Sequence, residues 1–277
     1  LARIPKFTYK NDEIFHATIE VSHFGNAVLD STKTTYTIRD EYGKIYYKEI
    51  SNNRTIPVGN CIQLGEVNYP LASITSPAKL NLEVCIEGTH FANDWDFWVY
   101  PAVVETNQGN VYITDTFNEK ALETLASGGN VLITAARKIT YGQGIVQQFT
   151  PVFWNTSWFK MRPPHTTGIW VNNNHPLFKN FPTEYHSNLQ WWELLNNAQV
   201  MLFSDFAYEF EPLVQSIDTW FLSRKIGTLF EAHVLNGKLM MTSMDITTDL
   251  DNRIVARQMR KAILDLSLIH ISEPTRP

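Results

Sequence analysis

The chain has 277 residues, of which 44% are hydrophobic and 18% charged, and its formal net charge at pH 7 is −5. This length is enough for one large or two ordinary domains, and the composition is that of a globular protein. The negative charge leaves no basic footprint for nucleic acid. No run approaches the roughly 18 consecutive apolar residues of a membrane-spanning helix. The two cysteines, Cys61 and Cys85, are too few for a disulfide framework or a zinc site, and they form either one bridge or two buried thiols.

The first hundred residues consist of short stretches in which apolar and polar residues alternate, as they do in half-buried strands. Glu41-Tyr42-Gly43 lies between two of these stretches and has the length of a hairpin turn. The predicted strands cover residues 15–24, 34–40, 44–50, 61–67, 79–88 and 94–101. Regular spacing without a helix signal predicts an immunoglobulin-like β-sandwich over residues 1–101.

After a linker at residues 102–109, the pattern changes to that of an α/β domain, which we predict for residues 110–265. Residues 111–115 and 130–136 are short apolar strands, and between them residues 117–127 have helical spacing, with Ala121, Leu122 and Leu125 on one side. Gly128-Gly129 ends this helix. A β-α-β unit of this kind predicts a parallel sheet with a right-handed crossover.

The remainder of this domain contributes three more strands and a closing helix. The strands are predicted at residues 198–204, 225–234 and 237–246, and Leu235-Asn236 joins the last two as a hairpin. The helix is predicted at residues 250–265, capped by Asp249 or Asp251. Its apolar stripe would face the core, and its basic side chains would form the solvated side: Arg253, Arg257, Arg260 and Lys261.

The stretch of residues 149–195 is unusually aromatic and irregular. It holds five of the eight tryptophans and three of the eight histidines, and prolines and asparagines break it into turns. Such a segment is either an ordered elaboration packed on a scaffold or a binding surface. Since Trp191 and Trp192 are adjacent, they cannot share a face, so we expect one buried ring and one directed elsewhere. The candidate binding residues are Trp154, Trp158, His165, Trp191 and Trp192.

The sequence offers little for catalysis or metal binding. His165, His175 and His186 lack the spacing of metal ligands, and both cysteines lie in the sandwich half, so a cysteine nucleophile is missing from the α/β domain. Asp115 and Asp245 each follow a strand, at the edge where α/β sheets bind ligands. We interpret both mainly as capping or turn acids. The prediction is therefore no catalytic residue, no metal site and no cofactor.

Several long blocks resemble the C-terminal region of bacterial glycoside hydrolase family 2 proteins, the β-galactosidase-like enzymes common in Bacteroidetes polysaccharide-degrading sets. These blocks read NDWDFWVYP, FWNTSWFKMRPPHTTG, HPLFKNFPTEYHSNLQWWEL and LFEAHVLNGKLMMTSMDI, and the resemblance covers residues 1–265. It implies that a jelly-roll sugar-binding domain, a sandwich and a catalytic (β/α)8 barrel precede this region. It also implies that the second domain is a flavodoxin-like, amidotransferase-like accessory domain that helps the protein to oligomerise.

The resemblance places the catalytic glutamates in the barrel, so it transfers no catalytic residue to this chain, and it implies a periplasmic or secreted protein. Our first hypothesis is a non-catalytic C-terminal portion of a glycoside hydrolase whose parent protein cleaves β-glycosidic bonds, in particular β-galactosides. The second is a carbohydrate-binding module that uses exposed tryptophan rings. The third is an independent amidotransferase-like α/β hydrolase, which the missing cysteine disfavours.

Both ends of the sequence raise expectations of their own. The sequence begins with Leu1 instead of a methionine, and its first residues read like the interior of a longer chain. We therefore expect a fragment whose N-terminal part, including any signal peptide, is missing. Residues 266–276 resemble one reading frame of a transposon-type sequencing adapter. We therefore expect residues 266–277 to be an artefactual tail and exclude them from the predicted fold.

Overall fold

The computed structural model describes residues 1–142, 144–149, 166–219 and 222–269. The chain divides into two compact units, Leu1–Val103 and Val104–Pro277. Both units are built mainly from β-sheet, with few helices. Both cysteines are free thiols, Cys61 exposed and Cys85 partly buried, so neither of the buried-thiol and bridge expectations holds.

The first unit contains ten strands and one short 3-10 helix at Leu71–Ser73. The strands are β1 (Ala2–Arg3), β2 (Thr8–Lys10), β3 (Ile14–His23), β4 (Leu29–Thr32), β5 (Thr34–Asp40), β6 (Ile45–Ile50), β7 (Arg54–Ile56), β8 (Gly59–Pro70), β9 (Ala78–Ile86) and β10 (Ala92–Tyr100). All six strands predicted from alternation are confirmed. The four that the sequence did not reveal are β1, β2, β4 and β7.

These strands form two main sheets that face each other. One has the order β1-β3-β8, and the other has the order β2-β10-β9-β5-β6, while β4 and β7 pair separately. Only β2 and β10 pair in parallel within the larger sheet. Side chains from both sheets share one core, in which the Phe15 and Phe97 rings stack with centroids 4.1 Å apart. Tyr36 also donates a hydrogen bond across the core to the Leu64 carbonyl, at 3.0 Å. The first unit is therefore a β-sandwich.

The second unit contains seven described strands, three α-helices and a 3-10 helix at Pro176–Asn180. The strands are β11 (Val111–Thr114), β12 (Asn130–Thr134), β13 (Ile169–Val171), β14 (Met201–Leu202), β15 (Val214–Ser216), β16 (Ile226–Val234) and β17 (Gly237–Thr242). The helices are α1 (Glu119–Ala126), α2 (Trp191–Asn196) and α3 (Ile254–Ile269).

The strands of the second unit form one mixed sheet in the order β11-β12-β17-β16-β15-β13, with β14 also paired to β16. Pairing is parallel across β11, β12 and β17, which confirms the predicted β-α-β unit. The other pairs are antiparallel. The β16–β17 hairpin at Leu235-Asn236 is confirmed, and a turn this short allows only antiparallel pairing. A parallel flavodoxin-like sheet is therefore not confirmed.

Helix α1 begins and ends as its sequence predicts. The Asn118 side chain accepts a hydrogen bond from the Ala121 amide at 2.9 Å and caps the helix. At the other end Gly128 adopts a φ of 85°, which ends the helix at the predicted glycine pair. Ala121 and Leu125 are fully buried, but Leu122 is 46% exposed, so the prediction that all three share the buried side was wrong for Leu122.

Helix α3 differs from the prediction at both ends and on its polar side. It begins at Ile254 rather than residue 250, because Asp249 has a left-handed φ of 49° and its carbonyl accepts the Asn252 and Arg253 amides in a turn. No residue at positions 254–266 is exposed, and the basic side chains expected in solvent are partly buried. Leu266, the first residue of the predicted artefactual tail, is buried within this helix, while residues 270–277 lie outside the described residues.

Gly237 lies where α1 approaches the sheet most closely. A Cβ atom on Gly237 would lie 2.4 Å from the Gly129 carbonyl oxygen and 2.8 Å from the Leu125 Cα. Both neighbours are backbone atoms, so neither can rotate away. At Gly144, by contrast, a Cβ atom would meet nothing within 4 Å.

We expect Gly237→Ala to destabilise the second unit by about 1–3 kcal/mol, the usual cost of overpacking a rigid site. Urea unfolding followed by circular dichroism measures this difference, with Gly144→Ala as the matched control. Equal unfolding midpoints for the two variants would show that α1 does not pack against β17 as described.

Candidate functional site

The three parallel strands bring charged residues together at one edge of the sheet. Asp115 directly follows β11, Arg137 and Lys138 follow β12, and Asp245 follows β17. We call this the carboxyl edge, because it is formed by the carboxyl ends of β11, β12 and β17. Open α/β sheets bind their ligands at such edges. It is therefore the first place to look for a functional site.

Asp245 is only 2% exposed, and hydrogen bonds occupy its carboxylate. Its Oδ1 accepts from the Thr247 and Thr248 amides, both at 3.1 Å, and its Oδ2 accepts from Thr248 Oγ1 at 2.5 Å. Burial by itself would raise the pKa of Asp245, but these hydrogen bonds and the Arg253 charge outweigh it and lower the pKa to about 2. Asp245 is therefore an anion at neutral pH, and its carboxylate holds a turn.

Arg253 binds this turn to helix α2. Its Nη2 donates to the Asp245 carbonyl at 2.6 Å, and its Nη1 donates to the Thr248 carbonyl at 2.9 Å. Its Nε donates to Glu193 Oε1 at 2.5 Å, and its Nη1 lies 3.3 Å from Asp245 Oδ1. We call these residues, Glu193, Asp245, Thr248 and Arg253, the Arg253 network. It joins α2, the turn after β17 and the start of α3.

Glu193 is the second acid of the network. Burial raises its pKa, and the nearby Asp245 charge acts in the same direction, while Arg253 opposes both. Among the described residues, Glu193 Oε2 is buried without a hydrogen-bond partner. Glu193 thus depends on Arg253 for its charge compensation.

The remaining charges at the carboxyl edge are open to solvent. Asp115 forms an ion pair with Lys138, and this hydrogen-bonded partner lowers the pKa of Asp115. Arg137 is 76% exposed at its side chain, and its Nη2 lies 3.8 Å from Asp245 Oδ2. Exposed pairs of this kind contribute little to stability. The carboxyl edge therefore consists of the largely buried Arg253 network, with charged side chains in solvent beside it.

The histidines of residues 149–195 occupy separate places in the described structure. His175 Nδ1 accepts the Leu177 amide at 3.3 Å, so Nε2 carries the proton and donates to Glu231 Oε1 at 3.0 Å. His186 is exposed, and its Nδ1 lies 3.2 Å from the Ser187 carbonyl. His165 lies outside the described residues. Within the described ranges, no group of three or more His, Cys, Asp or Glu side chains is placed to hold a metal ion.

The predicted division of the tryptophan pair on α2 is confirmed. Trp191 is fully buried, with its Nε1 donating to Thr183 Oγ1 at 2.8 Å and its ring edge-on to Phe181. Trp192 is 58% exposed. Trp191 therefore belongs to the core, and more than half of the Trp192 surface is exposed. The other candidate binding residues, Trp154 and Trp158, lie outside the described residues.

Sequence reasoning missed Arg253 as the centre of the carboxyl edge. Helical periodicity placed it on the solvated side of α3, because periodicity assigns exposure from polarity alone. The turn at Asp245 had a readable signal, since an aspartate followed by two threonines at positions 247 and 248 favours an Asx-type turn. Nothing in the sequence linked that turn to Glu193.

Comparison with known families gives a clear result for the second unit. A family model described as "Domain of unknown function (DUF8487)" matches residues 112–268, which is more than half of the chain. The chain belongs to the DUF8487 family. A second model, "Domain of unknown function (DUF8488)", matches residues 13–101 of the same DUF8487 chain. No curated protein matches it.

Three weak structural neighbours of the DUF8487 chain are glycoside hydrolases, each 10% identical to it. Parabacteroides merdae β-glucuronidase has a TM-score of 0.27, with 49% of this chain and 21% of that chain covered. A calcium-binding mutant of Bacteroides uniformis β-glucuronidase 2 has a TM-score of 0.25, with 48% and 20% covered. A family 123 glycoside hydrolase from Clostridium perfringens also has 0.25, with 47% and 33% covered.

The DUF8487 chain thus spans between a fifth and a third of the length of these neighbours. TM-scores this low transfer no residue role to it. No helix in the described part of the chain is long and apolar enough to cross a membrane.

We expect Asp245→Asn to destabilise the chain by about 2–3 kcal/mol, because the amide group of asparagine cannot replace a carboxylate that accepts charge-assisted hydrogen bonds. The measurement is urea unfolding at pH 7. Asp115→Asn is the matched control at the same edge, and it should leave the midpoint nearly unchanged because Asp115 is exposed.

The difference in unfolding free energy between the wild type and Asp245→Asn should also depend on pH. The pKa of Asp245 is lowered in the folded state from its ordinary value of 3.8 to about 2. Its contribution is therefore complete above about pH 5 and is lost as the pH falls toward 2. The difference between wild type and Asp245→Asn should shrink across that window. A constant difference from pH 7 to pH 3 would contradict the assignment.

Proposed function

We propose that this chain is the non-catalytic C-terminal portion of a glycoside hydrolase, in which it serves domain packing and oligomerisation. In this proposal, the parent protein hydrolyses β-glycosidic bonds, in particular β-galactosides. Its sugar-binding domain, a further sandwich and its catalytic barrel precede this region. The sequence blocks that resemble glycoside hydrolase family 2 proteins, from NDWDFWVYP onward, support this assignment.

The observation that carries the non-catalytic role is the Arg253 network. Glycoside hydrolysis by two carboxylates needs one protonated acid and one available carboxylate on either side of a substrate. At the carboxyl edge, Asp245 has a lowered pKa and both of its carboxylate oxygens accept hydrogen bonds from the turn, so it is not a proton donor at neutral pH. Arg253 holds Glu193, and Asp115 pairs with Lys138 in solvent. These acids stabilise the fold.

The proposal extends to the two domains. The sandwich at residues 1–101 corresponds to an immunoglobulin-like domain, and residues 110–265 correspond to a flavodoxin-like accessory domain, with residues 102–109 as the linker. Aromatic side chains on the second unit are open to solvent: Tyr185 at 62%, Trp192 at 58% and Tyr208 at 91%. Exposed apolar side chains of this kind suit contact with a neighbouring domain or subunit.

We expect the purified chain to show no hydrolysis of aryl β-galactosides, β-glucosides or β-glucuronides above the buffer blank. The measurement is release of the chromogenic aglycone over a day, with a commercial β-galactosidase as the positive control. Turnover that Glu193→Gln or Asp245→Asn abolishes, while Asp115→Asn retains it, would contradict the proposal and assign catalysis to the carboxyl edge.

A further inference from the structure

The ladder between β1 and β3 stops before β3 does. Ala2 pairs with Ile19, and the ladder extends to Leu1, whose nitrogen donates to the Glu20 carbonyl at 2.8 Å. The Glu20 amide in turn donates to the Leu1 carbonyl at 2.9 Å. Strand β3 continues to His23, yet the fully described first unit places no strand beside residues 21–23 on this edge. The outer edge of β3 is therefore open there.

Burial along the core face of β3 dips at Val21 before it returns at His23. Phe15, Ala17 and Ile19 are at most 1% exposed, whereas Val21, the next residue on their face, is only partly buried. A crevice of about 230 Å³ opens beside it between the two sheets. Val84 and Ile86 from β9 and the Phe91 and Trp95 rings line it together with Val21. The sandwich core is thus incomplete at this corner.

The register of the ladder determines which side chain could enter the crevice. Side chains alternate between the faces of a strand, and residues paired across an antiparallel ladder point to the same face. Ala2 and Val21 both pack against the core. A residue placed opposite Val21, directly before Leu1 along the line of β1, therefore points its side chain into the crevice.

A second observation lies on the outer face of the same ladder. Glu20 Oε1 accepts a hydrogen bond from Arg3 Nε at 2.7 Å, but Glu20 Oε2 is buried without a hydrogen-bond partner in the described structure. Glu20 also borders the crevice. A strand residue opposite Ser22 would lie diagonally across from Glu20, where a long side chain with an N–H group could donate to Oε2.

We propose that the first unit receives one more strand segment, which continues β1 in the N-terminal direction along residues 21–23 of β3. This segment places an apolar side chain opposite Val21, in the crevice, and a hydrogen-bond donor opposite Ser22. The inference rests on the proposed function, because the segment belongs to the polypeptide that precedes Leu1 in the longer protein. It would make the domain before the sandwich continuous with the sandwich sheet.

Two four-residue extensions of the chain test this. One adds Thr-Thr-Gln-Leu before Leu1, with leucine opposite Val21 and glutamine opposite Ser22. The matched control adds Thr-Thr-Leu-Gln, which has the same composition with the two positions exchanged. The readouts are amide hydrogen exchange of residues 20–23, resolved by mass spectrometry, and the thermal midpoint of the first unit.

Within residues 20–23 we expect the first extension to slow exchange of the Ser22 amide roughly tenfold relative to the control, because this amide faces the added segment, whereas the Glu20 amide already donates to the Leu1 carbonyl. We also expect it to raise the midpoint by about 4 °C or more, as an extra buried side chain does in a domain of this size. Equal exchange and equal midpoints would overturn the proposal. So would protection that appears only at residues 92–95 of β10, since the segment would then follow the other sheet.

The added strand and the non-catalytic role are tested by different results. Glycosidase activity of the isolated chain would overturn the non-catalytic role and leave the exchange comparison unaffected. An absence of protection would overturn the added strand while the chain remained without activity.

Discussion

The hydrogen bonds and ion pairs of the Arg253 guanidinium group are the interactions on which the packing of helices α2 and α3 in the second unit depends most. It donates to Glu193 on α2, and to two carbonyls of the turn that follows β17. These contacts hold the start of α3 against α2 and against the turn after β17. The carboxylates of Glu193 and Asp245 are both largely buried. Removing Arg253 would therefore leave two negative charges without the positive charge that compensates them, and leaving a buried charge unpaired is strongly destabilising.

The same network determines what the carboxyl edge can do. In many α/β folds, this edge is where a ligand meets strand ends and loops. Here threonine hydroxyl and amide groups hold Asp245, Arg253 holds Glu193, and Asp115, Arg137 and Lys138 lie in solvent. Of these two buried acids, Asp245 is ionised at neutral pH, and Glu193 is tied to Arg253. This arrangement supports the proposed role of the second unit in domain packing.

In the first unit, the governing constraint is the two-residue period of the strands. It places Phe15, Ala17, Ile19 and Val21 on one face of β3, opposite residues of the larger sheet. The core is complete wherever both sheets have full-length neighbours. It opens where β1 ends, and there Val21 is less buried than Phe15, Ala17 and Ile19. The crevice and the open strand edge have the same cause.

Much of this architecture could be predicted from the sequence. The long strands follow from alternation, and the β16–β17 hairpin follows from Leu235-Asn236 before a glycine. Strands β1, β2, β4 and β7 could not be found, since two to four residues do not establish a period. The β-α-β unit predicted a parallel sheet, and the family resemblance implied a flavodoxin-like domain; apart from the β16–β17 hairpin, the antiparallel pairs of the second sheet had no signal in the sequence.

The candidate site was less predictable. Because Trp191 and Trp192 are adjacent, the sequence alone predicts that one ring is buried and the other is not, and the structure confirms this. Arg253 escaped notice because an arginine in an amphipathic helix normally lies in solvent, and its carboxylate partners are 60 and 8 residues away. Ion pairs between distant segments are set by tertiary packing, which no local pattern encodes.

A double-mutant cycle between Glu193 and Arg253 tests this account most directly. The four proteins are the wild type, Glu193→Gln, Arg253→Met and the double variant, compared by urea unfolding at pH 7. The account predicts a coupling free energy of about 1–3 kcal/mol, since the double variant removes both buried charges together. Additive effects, within about 0.5 kcal/mol, would contradict it, because Arg253 would then not be the partner that holds Glu193 in the fold.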